Sequence, residues 1–350
     1  MNVSAYAAQS ATTPVAPWEF ERRAPRPNDV VIDILYCGVC HTDIHQTRNG
    51  WGNAVYPMVP GHEIIGRVRQ VGGAVTKFQP GDMVGVGTMV DSCGHCAACL
   101  AGLEVYCENN CTQTYNDKDR QDGQPTYGGY SECIIVSDKF VLRLPDGLDP
   151  KAAGPLLCAG ITTYSPLRHW KIGAGSQVAV VGLGGLGHMG LKFAKAFGAD
   201  VSLFTRTPDK QSEAERLGAD HVIVSTDPAQ MQAAVRRFDF ILDTVPSAHD
   251  LNPYLATLKR DGTLVLVGQL GALEPSIPGV SLMAGRKSIA GSGAGGIAET
   301  QEMLDFCAAR GIACDVEMID IQSINAAFER VLKSDVRYRF VVDMASLKEK

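Results

Sequence analysis

Nowhere in its 350 residues does the chain hold an apolar run long enough to span a bilayer. Met1 to Trp18 lacks both a basic start and a continuous apolar segment, so it does not read as a signal peptide. Positive charge is not in excess either. The 32 Lys and Arg face 38 Asp and Glu, and a net charge of −6 argues against nucleic acid or an anionic membrane as partner. Internal repeats and low-complexity segments are also missing. Eleven cysteines are too dilute for a disulfide scaffold. What remains, 45 % hydrophobic and 20 % charged, is the composition of a soluble globular protein with room for two cores. Isolated thiols such as Cys37, Cys111, Cys133, Cys307 and Cys314 fit a reducing compartment, and a cytoplasmic location is expected.

Four of the cysteines are not isolated. Cys93, Cys96, Cys99 and Cys107 follow the spacing C-x₂-C-x₂-C-x₇-C, with Gly94, Ala97 and Ala98 between them. Small intervening residues let one loop turn four sulfurs onto a single point about 2.3 Å away, as tetrahedral zinc requires. The competing readings are two disulfides or four unrelated buried thiols. A four-thiolate cage is closed, so it holds structure and performs no chemistry.

Two textures alternate along the chain. From about Trp18 to Pro150 there are short β-type runs among Gly, Pro and turn signals, including 30–35, 64–71 and 133–136. From about Lys171 apolar strands at 178–181, 201–204, 222–224, 240–242 and 264–267 alternate with mostly helical stretches, the pattern of a doubly wound parallel sheet. The tail predicts helices over 299–309 and 324–332 and a strand over 339–342.

Gly182-Leu183-Gly184-Gly185-Leu186-Gly187 follows the first of those apolar strands and opens a helix. The glycines allow a tight turn, close approach of backbone to a pyrophosphate, and close helix–strand packing. The helix N-terminus adds unpaired N–H groups for the anion. Leu186, Met189, Phe193 and Phe197 form an apolar stripe that would press the helix onto the sheet. NAD sites carry Asp or Glu about 20 residues beyond the glycines. Here the second strand runs out into Thr205-Arg206-Thr207, with Lys210 beyond, which favours a 2′-phosphate and hence NADP. The alternative is that Arg206 and Lys210 form a solvated face.

Cys40, His62 and Cys158 are a second set of candidate ligands. Two thiolates and an imidazole would leave zinc one free position, as a catalytic metal requires. Spacing alone does not bring residues 118 positions apart together, so ordinary buried cysteines and a core histidine stand beside that reading. Cys37 makes a CxxC with Cys40 but reads as a small hydrophobe at a strand end.

In these motifs the chain resembles the zinc-dependent medium-chain alcohol dehydrogenases, and most closely their cinnamyl alcohol dehydrogenase branch. The matching stretches run from Cys37 to Trp51 and from Tyr56 to Glu63, and include Gly81 to Gly87, the four-cysteine lobe and Tyr115-Asn116-Asp117. They continue through Gly128-Gly129-Tyr130, Pro155 to Gly160 and the glycine turn, in order over nearly the whole chain. The resemblance implies a GroES-like, mostly β catalytic domain over 1–157 and 295–350, and a Rossmann NADP-binding domain over 158–294, with a substrate cleft between them. It implies one catalytic zinc on Cys40, His62 and Cys158, with Glu63 able to take the metal transiently and Asp43 steering His62. Thr42 would pass the alcohol proton towards the ribose and His45 would release it. His41, Thr162, Thr244, Gly268, Ser292 and Gly293 would line the dinucleotide. Zinc would act as a Lewis acid on the alcohol or carbonyl oxygen while hydride passes between substrate and nicotinamide. A homodimer is also implied.

The departures from the branch bear on substrate. Thr112-Gln113-Thr114 stands where an aromatic ring is typical, and Gly291 to Gly296 lacks a bulky aromatic. Two missing rings remove stacking surface worth about 0.5–1.5 kcal/mol each. A broad aldehyde reductase is therefore expected, with Trp51 a candidate pocket wall. A polyol or other secondary-alcohol dehydrogenase is the nearest alternative, and a non-catalytic relative the remote one. Against the last, Cys40, Thr42, His62, Glu63 and Cys158 all stand.

Overall fold

The computed structural model describes residues 1–268 and 271–348. The chain divides into two compact units, Met1–Ile161 with Gly295–Lys350, and Thr162–Ala294.

In the first unit the strand Asp29–Gly38 is the axis of a seven-stranded sheet. Its full length pairs antiparallel with Ile64–Val71. On its other edge the first half pairs with Cys133–Ser137 and the last residues with Arg339–Asp343. Met83–Val86 and Leu142–Arg143 extend one side, and Val316–Asp320 pairs parallel with Arg339–Asp343 on the other. The runs expected at 30–35, 64–71, 133–136 and 339–342 are all strands here, because their Val and Ile side chains bury into one core with Phe340 and Val342. The hairpin of Asn2–Ala7 with Ala16–Glu21 went unread from sequence, since polar residues interrupt its apolar ones.

The second unit is a six-stranded parallel sheet in the spatial order His221–Val224, Asp200–Thr205, Gln177–Val181, Phe238–Asp243, Leu258–Leu266 and Ser288–Gly291. Numbered along the chain this is 3-2-1-4-5-6, the order of the dinucleotide-binding sheet. Its switch point lies between Gln177–Val181 and Phe238–Asp243, the two strands that end at Gly182 and Thr244. The fifth strand begins at Leu258, six residues before the expected apolar run. Leu258 pairs with Phe238 and Thr263 with Phe240, so Lys259, Arg260 and Asp261, which interrupt the apolar signal, bulge out of the ladder. The helix Gly187–Ala196 buries Met189, Leu191 and Phe193. Leu186 falls just ahead of it, while Phe193 and Phe197 both meet the Tyr164 ring, at 5.3 and 5.4 Å. The stripe thus covers a neighbouring helix, Ala159–His169, as well as the sheet.

Candidate active site

Sheet register assembles the first constellation. Ile64 pairs with Cys37, so Glu63 lies opposite Gly38 and Cys40 follows two residues later. A Cβ on Gly38 would fall 1.9 Å from Glu63 Oε2, so only glycine lets the carboxylate pass. His62 follows Gly61, whose φ of +100° turns the chain inward. Cys158 ends the 3₁₀ turn Gly154–Leu157, which packs on Gly85 and Gly87; a Cβ on Gly85 would come within 2.9 Å of Leu157.

The result is a cluster in which donor atoms of Cys40, His62, Glu63 and Cys158 lie within 4.8 Å of one another. Cys40 Sγ and Cys158 Sγ are 3.7 Å apart. Two sulfurs bonded to one tetrahedral zinc at about 2.3 Å stand about 3.8 Å apart, whereas a disulfide needs about 2.05 Å. The donor set therefore fits zinc. Cys40 is held well below the ordinary thiol range by the hydrogen bond from Cys158, against burial, so a thiolate is already favoured.

Asp43 orders this cluster. It is buried at the start of the helix His41–Thr47. Its Oδ2 accepts the Cys40 N–H at 2.9 Å, and its Oδ1 accepts the Gly61 N–H and faces His62 Nδ1, both at 3.1 Å. With Nδ1 so engaged, His62 Nε2 is the atom left for a metal. Arg339 was read from sequence only as the start of a strand, yet its guanidinium donates to Glu63 Oε1 from a buried position. Burial pushes the Glu63 carboxyl up to about 7 although Arg339 pulls it down, and Glu63 Oε2 has no partner among the described residues.

Thr42 and His45 lie three apart on the helix His41–Thr47. His45 Nε2 is buried without a partner among the described residues. Trp51 meets the His45 ring edge-on at 4.5 Å and is itself 42 % exposed, so it walls the histidine. Thr114 Oγ1 donates to Gly87 O at 2.5 Å, so this residue of the ring-less segment holds the loop rather than facing outward.

The other thiolate cluster is the loop at Cys93, Cys96, Cys99 and Cys107. Cys93 Sγ and Cys99 Sγ are 3.9 Å apart, again the spacing of two ligands and far from a disulfide. Backbone N–H groups of Cys93, Cys96, Cys99 and Glu108 point at cluster sulfurs at 3.4–3.5 Å. Hydrogen bonds from the His95 backbone first, and then from the Asn109 side chain, lower Cys93 to about 5.

In the second unit Gly182 has φ +87°, and a Cβ on Gly187 would strike Gly182 O at 2.0 Å. Gly184 has no heavy atom within 4 Å of its Cβ position, so the turn presents bare backbone beside the uncapped N-terminus of Gly187–Ala196. Gly185 and Leu186 complete the turn. Thr244 Oγ1 donates to Val181 O at 2.7 Å, and a Cβ on Gly268 would lie 2.4 Å from the Thr244 backbone, so these segments converge on the turn. Ser292 hydrogen-bonds from its N–H to Leu266 O at 3.2 Å, at the end of the fifth strand. Arg206 is exposed past the second strand and Lys210 half-buried beyond it. Thr205 is buried at the strand end, and its hydroxyl donates to Thr207 O at 3.2 Å. Thr42 belongs to the first unit and Thr162 to the second.

Comparison with known proteins agrees with this chemistry. Residues 26–146 match the alcohol dehydrogenase GroES-like domain and residues 185–309 the zinc-binding dehydrogenase family. The chain is 53 % identical over 348 residues to an aldehyde reductase of Escherichia coli (strain K12), covering 99 % of each. It is 51 % identical over 345 residues to an NADP-dependent alcohol dehydrogenase of Mycobacterium tuberculosis, again covering 99 % of each. A cinnamyl alcohol dehydrogenase structure from Sorghum bicolor superposes with a TM-score of 0.96 at 46 % identity, covering 100 % of this chain and 99 % of that one.

Proposed function

The chain belongs to the zinc-binding, GroES-like alcohol dehydrogenase family, and from that footing we propose that it interconverts aldehydes and primary alcohols with NADP(H), reducing a broad range of aldehydes. The observation that carries this is the convergence of Cys40, His62 and Cys158, with Glu63, within 4.8 Å. When bound, zinc supplies Lewis acidity towards the substrate oxygen and NADP(H) supplies or accepts hydride.

The residues divide the remaining work. Cys40, His62 and Cys158 would hold the metal through three donors, leaving it open to substrate. Glu63, unpartnered at Oε2 among the described residues and braced by Arg339 at Oε1, could take the metal transiently. Thr42 Oγ1 would accept the alcohol proton while giving up its own towards the cofactor ribose, and His45 would release the proton to solvent. The Gly182–Gly187 turn and its helix bind the pyrophosphate, Arg206 and Lys210 the 2′-phosphate, and Thr162, Thr244, Gly268 and Ser292 the rest of the dinucleotide. Support for this assignment is the exposed Arg206 and the absence of an acidic residue where the second strand ends. The functional domains are 1–157 with 295–350, and 158–294.

A homodimer and a cytoplasmic location complete the proposal. The edge strand Ser288–Gly291 and the exposed Val280 and Met283 beside it support self-pairing. Eleven unbridged cysteines support a reducing compartment, and no helix among the described residues is long and apolar enough to cross a membrane.

The test is steady-state kinetics over aliphatic aldehydes, aromatic aldehydes and a polyol, each with NADPH and NADH. Arg206→Ala should raise KM for NADPH about 10–100-fold, the worth of a charge-assisted hydrogen bond of about 1.5–3 kcal/mol, and leave NADH unaffected. Equal or better kcat/KM with NADH in the unsubstituted enzyme contradicts the cofactor assignment.

A further inference from the structure

Tyr115-Asn116-Asp117 is gripped from both sides and has no part in the chemistry above. On one side Thr114 N donates to Thr88 O at 3.1 Å and Thr114 Oγ1 to Gly87 O at 2.5 Å. On the other, Asn116 in the left-handed region (φ 58°) accepts the Val55 N–H at 2.8 Å. Asp117 accepts the Gln113 N–H at 2.9 Å. These contacts fix the backbone of a residue whose own side chain goes inward.

Tyr115 is 5 % exposed, and its ring stacks on the His62 imidazole with centroids 5.9 Å apart and planes 27° off parallel. Its hydroxyl is buried without a hydrogen-bond partner among the described residues. A buried hydroxyl left unpaired is costly, so a partner is to be looked for. The Asp43 carboxylate is within its electrostatic reach. A carboxylate offers about four lone-pair sites. Asp43 uses three, on Cys40 N, Gly61 N and His62 Nδ1, and two of these lie on Oδ1. One site on Oδ2 is left.

We infer that Tyr115 is a positioning residue for the metal ligand His62, backing the imidazole with its ring and filling the fourth site of Asp43 with its hydroxyl. The inference rests on the reading of Cys40, His62 and Cys158 as zinc ligands. Asp43 holds ligand backbone at Cys40, the turn at Gly61 and the His62 ring, and a bond from Tyr115 would close its remaining site. Partners of ligating groups at this remove typically contribute 10–100-fold in metal affinity or activity.

The experiment follows zinc release from the loaded enzyme to a colorimetric chelator, alongside kcat and KM. Tyr115→Phe keeps the ring and removes the hydroxyl; Tyr115→Leu removes both. Tyr115→Phe should release one of two zincs about tenfold faster, leave the second and the melting temperature unchanged, and lower kcat without raising KM for NADPH. Tyr115→Leu should be faster still. In an Asp43→Asn background Tyr115→Phe should add little, since both act through one carboxylate. Equal release from all three proteins, or equal acceleration of both zincs with a lower melting temperature, overturns the proposal. An unsubstituted enzyme carrying one zinc overturns the metal-site reading itself, and this proposal with it.

Discussion

The two thiolate clusters of the first unit use the same donor chemistry and are built in opposite ways. The four sulfurs of Cys93, Cys96, Cys99 and Cys107 come from one loop of fifteen residues and are served by that loop's own backbone N–H groups. Cys40, His62 and Cys158 come from three segments brought together by strand register, and their neighbours are side chains: Asp43, Arg339 and Tyr115. A local cage with four sulfurs has no place for substrate, so its zinc belongs to folding. A long-range site with three donors and an adjacent carboxylate keeps a place open and sits where the sheet can hold it rigid. Locality separates structure from chemistry.

Substitution of one cysteine in each cluster is the sharpest way to break this comparison. Cys158→Ser should lower kcat/KM by about 10³-fold or more, roughly 4 kcal/mol of transition-state stabilisation, with little change in melting temperature. Cys99→Ser should do the reverse. Loss of a structural metal belongs to the largest class of destabilising changes, about 4 kcal/mol, and at about 2–4 °C per kcal/mol the melting temperature should fall by roughly 10 °C while turnover on the folded fraction persists. Calorimetry and kinetics on the pair of variants check both. If Cys99→Ser abolished turnover without destabilising the protein, the roles would be misassigned.

How much of this was legible in the sequence follows the same division. The four-cysteine lobe and the glycine turn announce themselves because their residues are neighbours in sequence. The open site did not, since 118 positions separate Cys40 from Cys158 and only the pairing of Ile64 with Cys37 brings Glu63 opposite Gly38. It became readable through the resemblance of whole motifs. Arg339 was invisible as a site residue because nothing in a strand pattern says that its first residue turns inward onto a carboxylate.

A smaller effect extends the comparison to the second unit, where His249 Nε2 lies 2.9 Å from Asp243 Oδ2. This is another histidine–carboxylate pair, resembling His62 with Asp43, but it belongs to neither donor cluster. It should titrate as a plain ion pair. The Asp243 hydrogen bond, against burial, raises His249 above the ordinary 6.5. A raised folded-state value contributes stability that is complete below about pH 6.5 and fades as pH climbs through the folded value. Melting temperature followed from pH 6 to 9 should therefore decline by an amount that His249→Gln removes. A pH profile unchanged by that substitution would show that the pair carries no such linkage.

Zinc content per chain, measured by metal analysis on the purified enzyme and on Cys158→Ser, tests the central claim most directly. Two clusters of different build predict two zincs in the first protein and one in the second, with the fold retained. Two zincs in both, or one in the unsubstituted enzyme, would contradict the assignment of Cys40, His62 and Cys158 to a metal.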